Sequence, residues 1–208
     1  GYNIGVKVDE ETKVEKIGGP PHRAMEYSRK IKKKELPKIS IISTGGTIAS
    51  KVDYKTGAVY PALTPEEIYS AIPELENLAV LDAEILFNIF SEDMTPNHWT
   101  KLAKRVAEKI REGYRGIIIP HGTDTMAYTA AAISFAVQDT PIPIILVGSQ
   151  RSSDRPSSDA ALNMLCAAHT AIDAPFAETV IIMHGTTNDD YCLVHRGTKV
   201  RKCHTSRR

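Results

Sequence analysis

Apolar residues along this chain fall into short unbroken runs, separated by longer stretches in which they recur every three or four positions. Ile39-Ser40-Ile41-Ile42, Gly116-Ile117-Ile118-Ile119-Pro120, Pro143 to Val147 and Thr179 to Met183 are such runs, the pattern of strands covered on both faces of a parallel sheet. A further strand is expected around Ala79 to Phe90. Thr64-Pro65-Glu66-Glu67 joins a capping hydroxyl, a proline at the first helical position and a glutamate three places on, which predicts a short helix. Thr95-Pro96 predicts another, with Trp99, Leu102, Ala103, Val106 and Ile110 on one face and Gly113 closing it. An alanine-rich helix runs to about Val137. The next is expected to be capped by Asp159 and to carry Cys166 as core packing. Strand and helix alternate, so the expected fold class is α/β: a doubly wound, mostly parallel sheet with right-handed crossovers.

In such a sheet ligands bind beyond the carboxyl ends of the strands. That edge collects Ser43-Thr44-Gly45-Gly46-Thr47, Ser91-Glu92-Asp93 and His121-Gly122-Thr123-Asp124-Thr125. Gly45-Gly46 allows positive φ and lets a substrate approach the backbone amides. The third glycine of a dinucleotide fingerprint and the Gly-Lys-Ser/Thr of a phosphate loop are both missing here, so nucleotide binding is not supported. Lys51 to Ala62 is polar and is expected as a mobile loop carrying Tyr54 and Tyr60. Thr47, Thr123, Asp124 and a loop tyrosine together offer a nucleophile, an activating network and a substrate anchor, the needs of amide or ester hydrolysis. The same residues also allow plainer readings: an ordinary βα turn at Gly45-Gly46, helix capping by Thr123 and Asp124, and a polar turn at Ser91-Glu92-Asp93. A threonine hydroxyl needs a neighbouring base or lysine. Spacing alone does not choose among the lysines.

Composition changes this picture little. The chain has 208 residues, 42% hydrophobic and 25% charged, enough for one good core. Lys+Arg 26 against Asp+Glu 25 leaves a net charge of +1, so no overall electrostatic case for nucleic acid exists. No apolar run approaches the ~18 residues of a membrane span and no secretory signal pattern opens the sequence, which makes a cytoplasmic protein the expectation. Cys166, Cys192 and Cys203 form no CxxC pair, and His121, His184, His195 and His204 do not share metal-ligand spacing, so neither a disulfide framework nor a metal site is expected. The opening residues differ from the rest. Tyr2, Ile4, Val6 and Val8 alternate with polar residues, Val14 and Ile17 suggest a second strand, and Gly18-Gly19-Pro20-Pro21 stops both. Residues 1–19 therefore read as the remnant of a β domain, 20–37, with the charge run Arg29 to Lys34, as a linker, and 38–208 as the α/β domain. Because the sequence begins at Gly1 rather than Met, a fragment is expected.

Thr44-Gly45-Gly46-Thr47-Ile48-Ala49 and His121-Gly122-Thr123-Asp124-Thr125-Met126 resemble the two signature motifs of the bacterial-type L-asparaginase family. Phe87 to Met94 resembles that family's substrate-carboxylate loop, and Val200 to Ser206 the segment carrying its active-site lysine. The resemblance implies that Thr47 is the nucleophile and Tyr60 the tyrosine that closes over it, with Thr123, Asp124 and Lys202 as a second cluster. Lys202 would act as a base towards Thr123 or a water, and Asp124 would bind the substrate's α-ammonium. Ser91 and Glu92 would hold the α-carboxylate and α-ammonium ends, with amides near Gly46 and Thr123 as oxyanion donors. Lys199, three residues upstream, is the alternative to Lys202.

Within the family, a small β domain ahead of the asparaginase-like part is similar to the archaeal tRNA-dependent amidotransferases. This implies a chain that hydrolyses L-glutamine and passes ammonia to a partner chain, the E-type subunit, in a heterodimer or heterotetramer. The tRNA would be bound mainly through that partner. No cofactor is implied in this chain, ATP and Mg being used by the partner, and a homodimer would form through the asparaginase-like part. The resemblance makes the sequence an expected fragment that stops short of the family's C-terminal α/β domain. A stand-alone L-asparaginase and a catalytically weak binding or scaffold fragment are the alternatives.

Overall fold

The computed structural model describes residues 36–45, 50–52, 59–61, 64–151, 157–186, 188 and 190–203, of which 50–52 and 59–61 are described as backbone. The expected β remnant at 1–19 lies outside them. Twelve strands and α-helices are described: β1 (Lys38–Ser43), β2 (Ser50–Val52), β3 (Val59–Pro61), α1 (Pro65–Ala71), β4 (Val80–Ile85), α2 (Pro96–Arg111), β5 (Gly116–Pro120), α3 (Met126–Ala136), β6 (Ile144–Val147), α4 (Ala160–Asp173), β7 (Thr179–His184) and β8 (Cys192–Arg196). Six strands form one sheet in the order β4-β1-β5-β6-β7-β8, parallel throughout except for β8. This is the α/β sheet expected.

The central strands are apolar on both sides because both sides are covered. Ile117, Ile118 and Ile119 are all 0% exposed. Ile39, Ile41, Ile118, Ile145 and Val147 pack under α1 and α4, whereas Ile42, Ile117, Ile119, Ile144 and Leu146 pack under α2 and α3. Helix starts follow the local signals. The Thr64 hydroxyl accepts the Glu67 amide at 3.2 Å ahead of α1, and the Thr95 amide donates to His98 Nδ1 at 3.2 Å at the start of α2. In α2, Leu102 and Val106 are buried as the periodicity predicts, and Lys109 joins them.

Four expectations are corrected. The strand around Ala79 to Phe90 ends at Ile85, because the Leu86 and Phe87 amides turn to the Ser43 carbonyl at 2.9 and 3.2 Å and carry the chain across the end of β1. Lys51 to Ala62, expected as a mobile loop, contributes to a two-stranded antiparallel ribbon in which Lys51 opposes Tyr60. Asp159 stands before α4 in helical conformation and makes no side-chain cap bond; the Ser158 hydroxyl accepts the Ala160 amide instead, at 3.2 Å.

The fourth concerns handedness. The connection β5-α3-β6 and the connection β6-α4-β7 step one strand in the same direction, yet α3 and α4 cover opposite faces. They must therefore have opposite hands. The links through α1 and α2 share the hand of α3, so right-handed crossovers throughout are not possible and β6-α4-β7 is the odd one. Covering the bare face explains it. Helix α1 has seven residues and packs on β4, leaving the middle of that face to α4. Small residues bring α4 close: a Cβ on Gly116 would lie 2.7 Å from Ala171 Cβ. Among the described residues no helix is long and apolar enough to cross a membrane.

Candidate active site

The parallel strands deliver three polar turns to one edge, and short contacts lock the turns together. Thr44 follows β1 and ties its amide and hydroxyl to the Pro120 carbonyl at the end of β5, at 3.1 and 2.9 Å. Gly45 has φ +119°, and a Cβ there would collide with the Ile89 carbonyl oxygen, so only glycine lets the Phe87 to Ser91 segment come so near. Gly122 does the same for Ser91, whose Cβ would stand 2.8 Å from an added Cβ. The Thr125 hydroxyl then donates to the Ser91 carbonyl at 2.6 Å. Sequence reasoning assigned no task to Thr44 or Thr125; their position inside the two motifs was the available signal.

On this platform the structure brings three expected site residues together. Lys202 Nζ donates to Thr123 Oγ1 and to Asp124 Oδ1, each at 2.8 Å, across 79 and 78 residues of sequence. Lys199 lines the same cavity, and its backbone amide donates to the Arg196 carbonyl at 2.9 Å. Ser91 is buried, and its hydroxyl donates to Glu92 Oε2 at 3.2 Å, while Glu92 is exposed. Gly46, Thr47 and Tyr54 lie outside the described residues, as does the Tyr60 side chain. A cavity of about 440 Å³ opens beside Thr123 and Lys202, floored by Met126, Ile181 and Met183.

Behind the second motif, His121 is 1% exposed. Its Nδ1 lies 2.7 Å from the Gly122 carbonyl and its Nε2 2.9 Å from Thr129 Oγ1, which also accepts from Trp99 Nε1 at 2.9 Å. A carbonyl only accepts, so Nδ1 carries the proton and Nε2 accepts from the Thr129 hydroxyl. Burial lowers the imidazole's pKa and keeps it neutral, against the opposing pull of the Gly122 carbonyl. The ring thus supports the turn that presents Thr123 and Asp124. Among the described residues no group of three or more His, Cys, Asp and Glu side chains could hold a metal ion.

A mostly parallel sheet in which β1 and β5 end in hydroxyl-bearing glycine turns, with a lysine closing on the second turn, defines an asparaginase-type domain. The family model described as asparaginase, N-terminal, matches residues 38–208, and the chain belongs to that family. Curated relatives are identical to it at about half of the aligned positions. The D-type subunit of glutamyl-tRNA(Gln) amidotransferase from Pyrococcus furiosus is 53% identical over 212 residues, covering 100% of this chain and 48% of the relative. The protein of the same name from Thermofilum pendens is also 53% identical, over 216 residues with the same coverage. Among solved structures, the thermostable L-asparaginase from Thermococcus kodakarensis superposes with a TM-score of 0.69 at 32% identity, covering 81% of this chain and 48% of that one. The chain therefore spans about half the length of the relatives it matches.

Proposed function

We propose that this chain carries the amide-hydrolysing site of a tRNA-dependent amidotransferase. In this reading L-glutamine is hydrolysed and the ammonia goes to a partner chain, the E-type subunit, which uses ATP and Mg to amidate glutamate on tRNA. The observation that carries it is the pair of 2.8 Å bonds from Lys202 to Thr123 and Asp124. An amine shared between a hydroxyl and a carboxylate is placed to move a proton to or from that hydroxyl. Asp124, whose side chain is 56% exposed, has an open side for a substrate's α-ammonium. Thr47 is the nucleophile in this reading, Tyr60 closes over it, and Ser91 and Glu92 receive the amino-acid end of the substrate. In the same reading, amides near Gly46 and Thr123 serve as the oxyanion donors. The names of the 53% identical relatives favour glutamine and a partner chain over stand-alone asparagine hydrolysis. The site needs no cofactor of its own. A cytoplasmic location and a homodimer through the asparaginase-like part belong to the same proposal.

The test is ammonia release by the full-length protein with its partner, from L-glutamine and from L-asparagine. Release is expected to be faster from glutamine and to rise when partner and tRNA are bound. Equal or faster asparagine turnover, indifferent to partner and tRNA, would assign a stand-alone asparaginase; no turnover of either would leave a scaffold. A Thr47→Val variant should form no acyl-enzyme with an electrophilic glutamine analogue, and label found on Thr123 alone by mass spectrometry would reverse the two threonines.

A further inference from the structure

Asp159 presents a question that its place in the sequence does not answer. An aspartate just ahead of a helix normally accepts the helix's first amides, yet this one is 0% exposed and makes no cap bond, the Ala160 amide going to the Ser158 hydroxyl. Its carboxylate turns to the loop that leaves β6. It accepts the Gln150 amide on both oxygens and the Arg151 amide on one, all at 3.0 Å, and the Asn163 side-chain amide at 2.8 Å. Burying a carboxylate is costly unless such bonds replace its water. Something is gained from placing it there.

Asn163 shows where the effect leads. It lies four residues after Asp159, one turn into α4, and is also 0% exposed. Its Nδ2 donates to Asp159 and, at 2.9 Å, to the Gly148 carbonyl. Gly148 is the residue on which Thr123 rests: a Cβ there would lie 2.9 Å from Thr123 Cγ2 and 2.9 Å from the His121 carbonyl oxygen. Threonine's methyl and hydroxyl share one carbon, so seating the methyl decides where Oγ1 points. Here Oγ1 points at Lys202.

We propose that Asp159 and Asn163 are positioning residues for Thr123, acting through the backbone of Gly148. Neither touches the hydroxyl. Asp159 orients the Asn163 amide, Asn163 holds the Gly148 carbonyl, and Gly148 provides the seat that keeps the Thr123 methyl away from Lys202 and its oxygen towards it. The proposal rests on the reading of Thr123 as part of an amide-hydrolysing site.

The experiment is a set of double-mutant cycles in the full-length protein with its partner, with kcat and KM for L-glutamine measured separately. Asn163→Ala should lower kcat about 10-fold and change KM little, since small misplacements of reacting groups act on the chemical step. Asn163→Asp keeps the shape but loses the donor to Gly148, and should do the same. In the Thr123→Ser background there is no methyl to seat, and Asn163→Ala should then cost less than about 2-fold; such coupling marks groups that act on one another. Equal losses in both backgrounds would make the pair merely structural and overturn the proposal. An arm that does not depend on turnover uses threonine methyl labelling and the three-bond couplings that report the Thr123 side-chain rotamer. One rotamer is expected in the unsubstituted protein and averaging in Asn163→Ala, with the fold checked by the other threonine methyls. A single unchanged rotamer in Asn163→Ala would also overturn it. Absence of glutamine turnover in the unsubstituted protein, with the rotamer effect intact, would remove the functional reading and leave the positioning.

Discussion

Two lysine–aspartate pairs in this domain have similar geometry and different partners. At the edge of the sheet, Lys109 on α2 donates to Asp82 on β4 at 2.5 Å, and Tyr114 donates to the same carboxylate. Arg105 clamps Glu84 one turn away through two bonds at 2.6 and 2.8 Å. The Lys109 side chain is 5% exposed and the Asp82 side chain 45% exposed, and that carboxylate accepts from two elements at once. At the strand ends, Lys202 reaches Asp124 from the far end of the domain, and the side chains are 20% and 56% exposed. A pair of the first kind, its lysine buried and its carboxylate bound twice, stitches an edge strand to its helix. In a pair of the second kind the lysine is less buried and is shared with a hydroxyl, which is what proton transfer requires.

The largest expected effect separates the two pairs by activity. Lys202→Met should lower ammonia release by roughly 10² or more, the usual scale for losing a positioned proton-transfer group, with KM little changed. Lys199→Met should cost much less, and Lys109→Met should leave kcat alone. If Lys199→Met were the inactive variant, the roles given to Lys202 would pass to it.

A smaller effect breaks the other side of the comparison. Asp82→Asn removes the anion that holds buried Lys109 and should destabilise the protein by about 1–2 kcal/mol in urea unfolding, the half-exposed carboxylate keeping the loss modest. Activity should not follow. The Lys109 and Tyr114 bonds, in that order, hold the Asp82 carboxyl below its ordinary value of 3.8. Its contribution is therefore complete above that value and is lost as pH falls towards the lower folded value, because the unfolded chain takes up the proton first. Asp82→Asn should flatten that acid limb; an unchanged limb would place the stabilisation elsewhere.

The smallest effect concerns His121. Its ordinary value is 6.5 and the folded value is lower, so below 6.5 the unfolded chain binds a proton that the folded one does not. Stability should fall as pH drops from 6.5 towards the folded value. In His121→Gln the slope in this window should be shallower, measured as unfolding midpoint against pH. An identical slope would mean that burial does not hold the ring neutral.

Much of the domain is legible locally, because strands buried on both faces need unbroken apolar runs and helix starts need hydroxyls and prolines at set offsets. Ile117-Ile118-Ile119, Thr64-Pro65 and the turns at Gly45 and Gly122 therefore state their structure in consecutive residues. Thr123 and Asp124 are legible for the same reason, being adjacent in one motif. Other features depend on partners far away in sequence. Edge strand β8 has a short pattern with exposed Leu193 and Val194, so no alternation marks it. Asp159 looks like a cap until the returning loop offers its amides. The opposite hand of the α4 connection follows from which face of the sheet α1 leaves uncovered, a property of the assembled layers. Lys202 stands in an irregular segment where a shift of three residues alters no periodicity. Only the closure of the chain over Thr123 distinguishes it from Lys199, because a hydrogen bond across 79 residues is decided by packing rather than by local preference.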